Sequence, residues 1–233
     1  MSSLDPDRLA QAVAETRGAL ADAARRAGRP ADAVQMVVAG KYLAPEDTPL
    51  LVPAGVGVVG ENRLQDLRAK QAAGADGLVF DFIGHLQRRK VKEVLGAVRL
   101  VHSVDSAVLA AEIAKRAEGP TRVLVEINVD AQPGKGGVLP AQAEELVDAI
   151  SRHEQLTVGG IMVMPAATVD PEGSRAAFAR TRELAARLAG RWRGRHDFAD
   201  LSMGTSQDFL VAAEEGATMV RVGRGLLDRA RRV

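Results

Sequence analysis

The chain has no cysteine, one tryptophan, one tyrosine and no excess of charge of either sign. Without cysteine there are no disulfides, no thiol nucleophile and no thiolate metal site. With 31 basic and 30 acidic side chains, no overall field favours nucleic acid or an anionic membrane. The local basic clusters at 88–92, 191–195 and 229–232 read as solvated helix faces or termini. No apolar run approaches the ~20 residues of a membrane-spanning helix. The opening Met1-Ser2-Ser3-Leu4-Asp5-Pro6 lacks the basic-then-apolar order of a secretory signal. The expectation is a cytoplasmic protein with neither nucleic acid nor membrane among its partners.

What is present is a regular alternation of helix-like and strand-like segments. Asp5-Pro6 is a helix start, an acid at the N-cap followed by proline at the first helical position. Leu9, Val13, Thr16, Leu20 and Ala27 then recur at helical spacing and predict a helix to about Gly28. Strands are predicted over 36–40, 56–59, 78–83, 100–103, 122–129, 157–163, 200–203 and 218–222, with helices over 63–73, 87–98, 106–117, 141–153, 173–189 and 206–215. Between the first two strands, Pro49 and Pro53 leave room for only a short helix. Eight such units give an α/β fold, a (β/α)8 TIM barrel with an extra N-terminal helix. An open doubly wound sheet is the alternative, but no Gly-x-Gly-x-x-Gly follows the first strand. No linker-like shift in composition appears, so residues 1–233 are expected to form one domain, with 1–30 the helix covering the barrel.

In such a barrel, chemistry sits at the carboxyl ends of the strands. Lys41 follows the run Met36-Val37-Val38-Ala39-Gly40, so it is either a solvated loop lysine or an amine at the barrel mouth. In Thr218-Met219-Val220-Arg221-Val222, Met219 and Arg221 share one face, which points inward. Gly223-Arg224-Gly225 then opens the last helix, and Leu201-Ser202-Met203-Gly204-Thr205-Ser206 leads from the seventh strand into another. The loops after strands seven and eight commonly cradle phosphate through backbone N–H groups; here Thr205 or Ser206 could add a hydroxyl. Read alone, either segment is an ordinary turn and cap. Closure brings strand eight beside strand one, so Lys41, Arg221 and the cradle share one mouth. An amine, a phosphate cradle and an inward arginine suit pyridoxal phosphate. Glu61-Asn62 either cap the following helix or reach a ligand. His85 and His102, which follow or end strands, either line the mouth or serve structure, and His85 is taken here with the cofactor-binding residues.

In order and spacing the chain resembles the pyridoxal phosphate homeostasis proteins, single-barrel relatives of the N-terminal domain of bacterial alanine racemase. The resemblance runs from Val37 to Leu227. It rests on Gly60-Glu61-Asn62, Phe82-Ile83-Gly84-His85-Leu86-Gln87, His102-Ser103-Val104-Asp105, Ile127-Asn128-Val129 with Lys135, Leu201-Ser202-Met203-Gly204 and Met219-Val220-Arg221-Val222-Gly223. It implies Lys41 as the Schiff-base lysine and Arg221 as partner of the pyridine nitrogen. It further implies Ser202, Gly204, Ser206, Gly223 and Arg224 around the phosphate, and Asn62 near the ring. The family usually has serine where Gly40 stands, threonine where Tyr42 stands and a larger residue where Gly136 stands. The function implied is cofactor homeostasis: a carrier, not an enzyme, that gives pyridoxal 5'-phosphate to apo-enzymes, as a monomer or weak homodimer.

The runner-up is an amino-acid racemase, which needs a base on each face of the substrate α-carbon. Tyr42, next to Lys41 on a strand end, is expected to point away from the lysine's pocket. A Schiff-base aldolase would want an acid–base carboxylate or tyrosine beside the lysine, and no inward strand position is expected to supply one.

Overall fold

The structure is a computed structural model and describes residues 3–232. Eight parallel strands close into a barrel in sequence order: β1 (Gln35–Ala39), β2 (Val58–Glu61), β3 (Val79–Phe82), β4 (Leu100–Val104), β5 (Thr121–Ile127), β6 (Leu156–Val163), β7 (Asp200–Thr205) and β8 (Met219–Val222). Closure is made by β1 pairing with β8, Val37 opposite Arg221. Each strand is too short and too apolar to stand alone, and two-sided burial by barrel filling and outer helices accounts for the near-continuous hydrophobic runs.

Helices α1 (Pro6–Arg26), α2 (Leu64–Ala72), α3 (Val91–Leu95), α4 (Ala107–Arg116), α5 (Ala143–Ser151), α6 (Arg175–Arg191), α7 (Phe209–Glu214) and α8 (Arg224–Leu227) accompany the strands. The first link holds no α-helix, only the 3-10 turns Gly40–Tyr42 and Pro45–Leu50, the second with Pro49 inside it. The Asp5 side chain caps α1 by accepting from the N–H groups of Asp7 and Arg8. Its buried stripe of Leu9, Val13, Leu20 and Ala24 packs against α7, α8 and the C-terminal turn. The helix therefore covers the barrel from the side of its last two helices. Arg26 pairs with Glu214 at 2.8 Å and Arg29 donates to the carbonyls of Ala213 and Ala217, which ties the N-terminal segment to the same side.

Val37, Val58, Leu100, Leu124, Met162 and Met219 meet inside the barrel. This layer fixes side-chain direction, because residues two positions further along each strand face the same interior. A larger apolar layer lies between strands and helices, with Phe178, Leu67, Ile113 and Leu188 fully buried. Several segments differ from the sequence expectation, among them the helix expected over 87–98, which is α-helical only at Val91–Leu95. The second strand starts at Val58 and runs on to Glu61, and α7 starts only at Phe209, because residues after Thr205 form a turn closed by Asp208. No helix of the described residues is long and apolar enough to cross a membrane.

Candidate functional site

At the carboxyl ends of the strands lies a cavity of about 600 Å³, walled by Lys41, Tyr42, Asn62, Glu126, Met162, Arg221 and the loops after β7 and β8. Strand alternation ends at Ala39, and Gly40–Tyr42 turn as a 3-10 helix. Successive side chains in such a turn stand about 120° apart, not on opposite faces. Lys41 and Tyr42 therefore both reach the cavity, which corrects the expectation that Tyr42 points away. Two cations stand over the Tyr42 ring, Lys41 Nζ 5.0 Å and the Arg224 guanidinium 5.3 Å from its centre. Lys41 is exposed, and no carboxylate of the described residues pairs with it.

Arg221 is the buried cation of the cavity, only 7% exposed. Its Nη1 donates to the Ser202 carbonyl (2.7 Å) and hydroxyl (2.6 Å), and its Nη2 donates to the Val163 carbonyl (2.7 Å). All three acceptors are neutral. Burial lowers its pKa to about 10, with only the more distant Asp208 and Glu126 acting against that. A guanidinium held this way keeps an Nε–H and one Nη2–H for a ligand acceptor.

Neither Glu61 nor Asn62 caps α2, whose N-cap is Arg63 with no side-chain bond. The fully buried Glu61 carboxylate instead lies 2.9 Å from Lys70 Nζ. Burial raises its pKa, against the pull of Lys70. A Cβ on Gly40 would come within 1.9 Å of Glu61 Oε1, so any side chain before the lysine would have to displace that carboxylate. Asn62 lines the cavity, and its Oδ1 is buried without a donor among the described residues.

The β7 and β8 loops are tied together through one hydroxyl. Ser206 Oγ accepts from the Gly223 N–H at 3.0 Å, which leaves its own hydrogen to donate. Thr205 gives both N–H (2.7 Å) and hydroxyl (3.1 Å) to Asp208 Oδ1. Ser206, Gln207, Arg224 and Gly225 line the cavity, and their N–H groups have no partner among the described residues. Gly223 is required by close approach: a Cβ there would lie 2.6 Å from the Tyr42 ring. Gly204 has φ +92°, and a Cβ would strike Ala212 at 2.5 Å, so it shapes the turn from behind the cavity wall.

Of the residues singled out in the sequence, the fold thus brings Lys41, Asn62, Thr205, Ser206, Arg221, Gly223 and Arg224 to one cavity. Ser202 and His85 are not on its wall. Ser202 is fully buried beneath Arg221, and His85 is solvent-facing with Nδ1 3.6 Å from Asp105. His102 is fully buried inside the barrel and does not line the mouth.

Glu126 on β5 was not foreseen, and it corrects the expectation that no inward strand position supplies a carboxylate. It lines the cavity, and burial raises its pKa, with the charge of Asp105 acting the same way. Parity was the available signal, since Leu124 faces the interior and Glu126 lies two residues on.

Residues 44–227 match the family described as "Alanine racemase, N-terminal domain". The pyridoxal phosphate homeostasis protein of Aquifex aeolicus is 40% identical over 205 residues, which cover 86% of this chain and 89% of that protein. The chain belongs to the pyridoxal phosphate homeostasis protein family. The family member from Pseudomonas aeruginosa is 32% identical over 222 residues, 94% of either chain. The solved structure of PipY from Synechococcus elongatus, described as having PLP bound, matches with a TM-score of 0.80 at 29% identity. It covers 94% of this chain and 99% of that one.

Proposed function

We propose that the protein binds pyridoxal 5'-phosphate at the barrel mouth, holds it through Lys41 as a Schiff base and releases it to apo-enzymes, without substantial turnover of its own. The observation that carries this reading is a lysine amine, with no carboxylate partner among the described residues, facing the same cavity as a buried arginine bound only to neutral oxygens. The residues fit the group. Arg221 offers donors to an unprotonated ring nitrogen, Asn62 Oδ1 lacks a donor, and the Ser206 hydroxyl and the free N–H groups of the two loops suit phosphate oxygens. Lys41 and Arg224 add positive charge at the mouth, which favours an anionic ligand. When bound, the cofactor supplies an aldehyde that joins a primary amine with loss of water and is freed again by water.

Lys41 holds, Arg221 keeps the ring nitrogen unprotonated by offering only donors, and the loops retain the phosphate. Kinship supports the carrier reading, since these relatives are named for homeostasis of the cofactor. Treating the loaded protein with borohydride should abolish its visible absorption and fix the cofactor on the Lys41 peptide, read by mass spectrometry. Attachment at Lys90 or Lys135 instead would overturn the assignment.

Tyr42 in the cavity favours one second reading, a racemase with Lys41 and Tyr42 as bases. Against it, both side chains leave one three-residue turn, whereas racemisation needs bases on opposite faces of the substrate.

A further inference from the structure

Four buried polar side chains run through the barrel interior, and the cofactor reading above employs only one of them. Arg221 Nη1 reaches Ser202 Oγ at 2.6 Å, and Ser202 Oγ reaches His102 Nδ1 at 2.9 Å. His102 Nε2 lies 3.2 Å from Asp81 Oδ2. Asp81 in turn takes both Nε (3.0 Å) and Nη2 (2.6 Å) of Arg99, which is 39% exposed. Asp81, His102 and Ser202 are each fully buried. The chain therefore crosses from β8 through β7 and β4 to β3, with an arginine at either end.

The donors and acceptors of its two ends select one order of bonds along it. Arg221 can only donate, so the Ser202 hydroxyl accepts from it. The hydroxyl hydrogen then goes to His102 Nδ1, which must be the bare nitrogen of the ring. That assigns the remaining proton to Nε2, where ionised Asp81 accepts it. Burial lowers the pKa of His102 and keeps the ring neutral, as this order demands. Burial works to raise the pKa of Asp81, but the hydrogen bonds from His102 and Arg99 outweigh it and leave the carboxyl below its ordinary value. A protonated His102 would turn an N–H toward a hydroxyl whose hydrogen has no other acceptor among the described residues.

We infer that His102 and Asp81, with Ser202 between them and Arg221, are positioning residues that aim the free N–H pair of Arg221 into the cavity. The inference rests on the cofactor reading above and extends it to groups that touch no ligand. Its physical basis is the pinning of one edge of the guanidinium. With Nη1 held by Ser202 and one Nη2–H held by Val163, the plane of Arg221 is set, and so is the direction of its two remaining donors. Ser202 Oγ can hold its place only while His102 Nδ1 takes its hydrogen.

The test uses the full chain with added pyridoxal phosphate, compared for wild type, Ser202→Ala, His102→Leu and His102→Asn. Ser202→Ala and His102→Leu should shift the visible band of the bound cofactor in the same direction and raise its dissociation constant roughly three- to tenfold. The double variant should go no further than either single one. His102→Asn keeps an acceptor near the Nδ1 position and should restore most of the wild-type band. In the free protein, nitrogen-15 NMR should find His102 Nε2 protonated and Nδ1 bare. Folded Ser202→Ala or His102→Leu protein with the wild-type band and affinity would reduce the chain to packing and overturn the inference. Should His102→Leu fail to fold, Ser202→Ala and His102→Asn decide between the same outcomes. A wild-type protein that takes up no cofactor would instead overturn the functional reading itself.

Discussion

Gly40 and Ser206 show how single residues set the limits of this site. The carboxylate of Glu61 fills the space where a side chain on Gly40 would stand, and Glu61 is pinned by Lys70 in the interior. Gly40→Ser should therefore be destabilising. Overpacking of this kind typically costs about 1–3 kcal/mol, which for a chain of this size lowers the melting temperature by roughly 2–4 °C per kcal/mol. Thermal denaturation would check it, and an unchanged midpoint would mean that Glu61 swings aside freely. Ser206→Ala removes both a hydroxyl available to a phosphate oxygen and the tie that Gly223 makes to it. A hydrogen bond to a charged group is worth about 1.5–3 kcal/mol, so the dissociation constant for pyridoxal phosphate should rise about tenfold or more. Equilibrium dialysis would read this directly; less than a twofold change would remove Ser206 from the site.

Among the secondary-structure elements, the junction of α5, β6 and the segment before β7 carries a pH dependence of its own. His196 Nδ1 accepts from the Val158 N–H at 3.2 Å, and Nε2 faces Ser151 Oγ at 2.8 Å, whose hydrogen goes to the Val147 carbonyl. The neutral ring thus joins the helix to the strand. Burial, helped by the charge of Arg195, lowers its pKa to about 4 from an ordinary 6.5. Between those values the unfolded chain binds a proton that the folded one does not. The contribution of His196 to stability is then full above pH 6.5 and is lost as pH falls toward 4. Urea midpoints of wild type and His196→Gln, measured across this range, should converge as pH falls. Parallel curves would show that the ring titrates normally. The helix and strand were legible from periodicity; this join was not, because His196 lies in the irregular segment before β7 and nothing local marks its partners.

For the whole molecule, closure decides which groups meet. It puts Lys41, near the start of the chain, and Arg221, near its end, at one mouth, because β1 pairs with β8. The loaded protein should then show no multiple-turnover racemisation of common amino acids, as Lys41 and Tyr42 leave a single turn. Chiral analysis after incubation with single enantiomers would test this. Sustained turnover abolished by Lys41→Ala would make the protein a racemase. The sequence by itself determined the eight strands, their order and the inward parity of Met219 and Arg221, because apolar periodicity and turn residues are local properties of the chain. Only the tertiary structure decided that Tyr42 joins Lys41 in the cavity, that Ser202 turns down to Arg221 and His102, that His85 faces solvent and that the Glu61 carboxylate occupies the space a side chain on Gly40 would need. Past the end of a strand, side-chain direction follows the turn rather than alternation. Inside a barrel, a polar group goes where neighbouring strands, distant in sequence, offer the donor or acceptor that its burial demands.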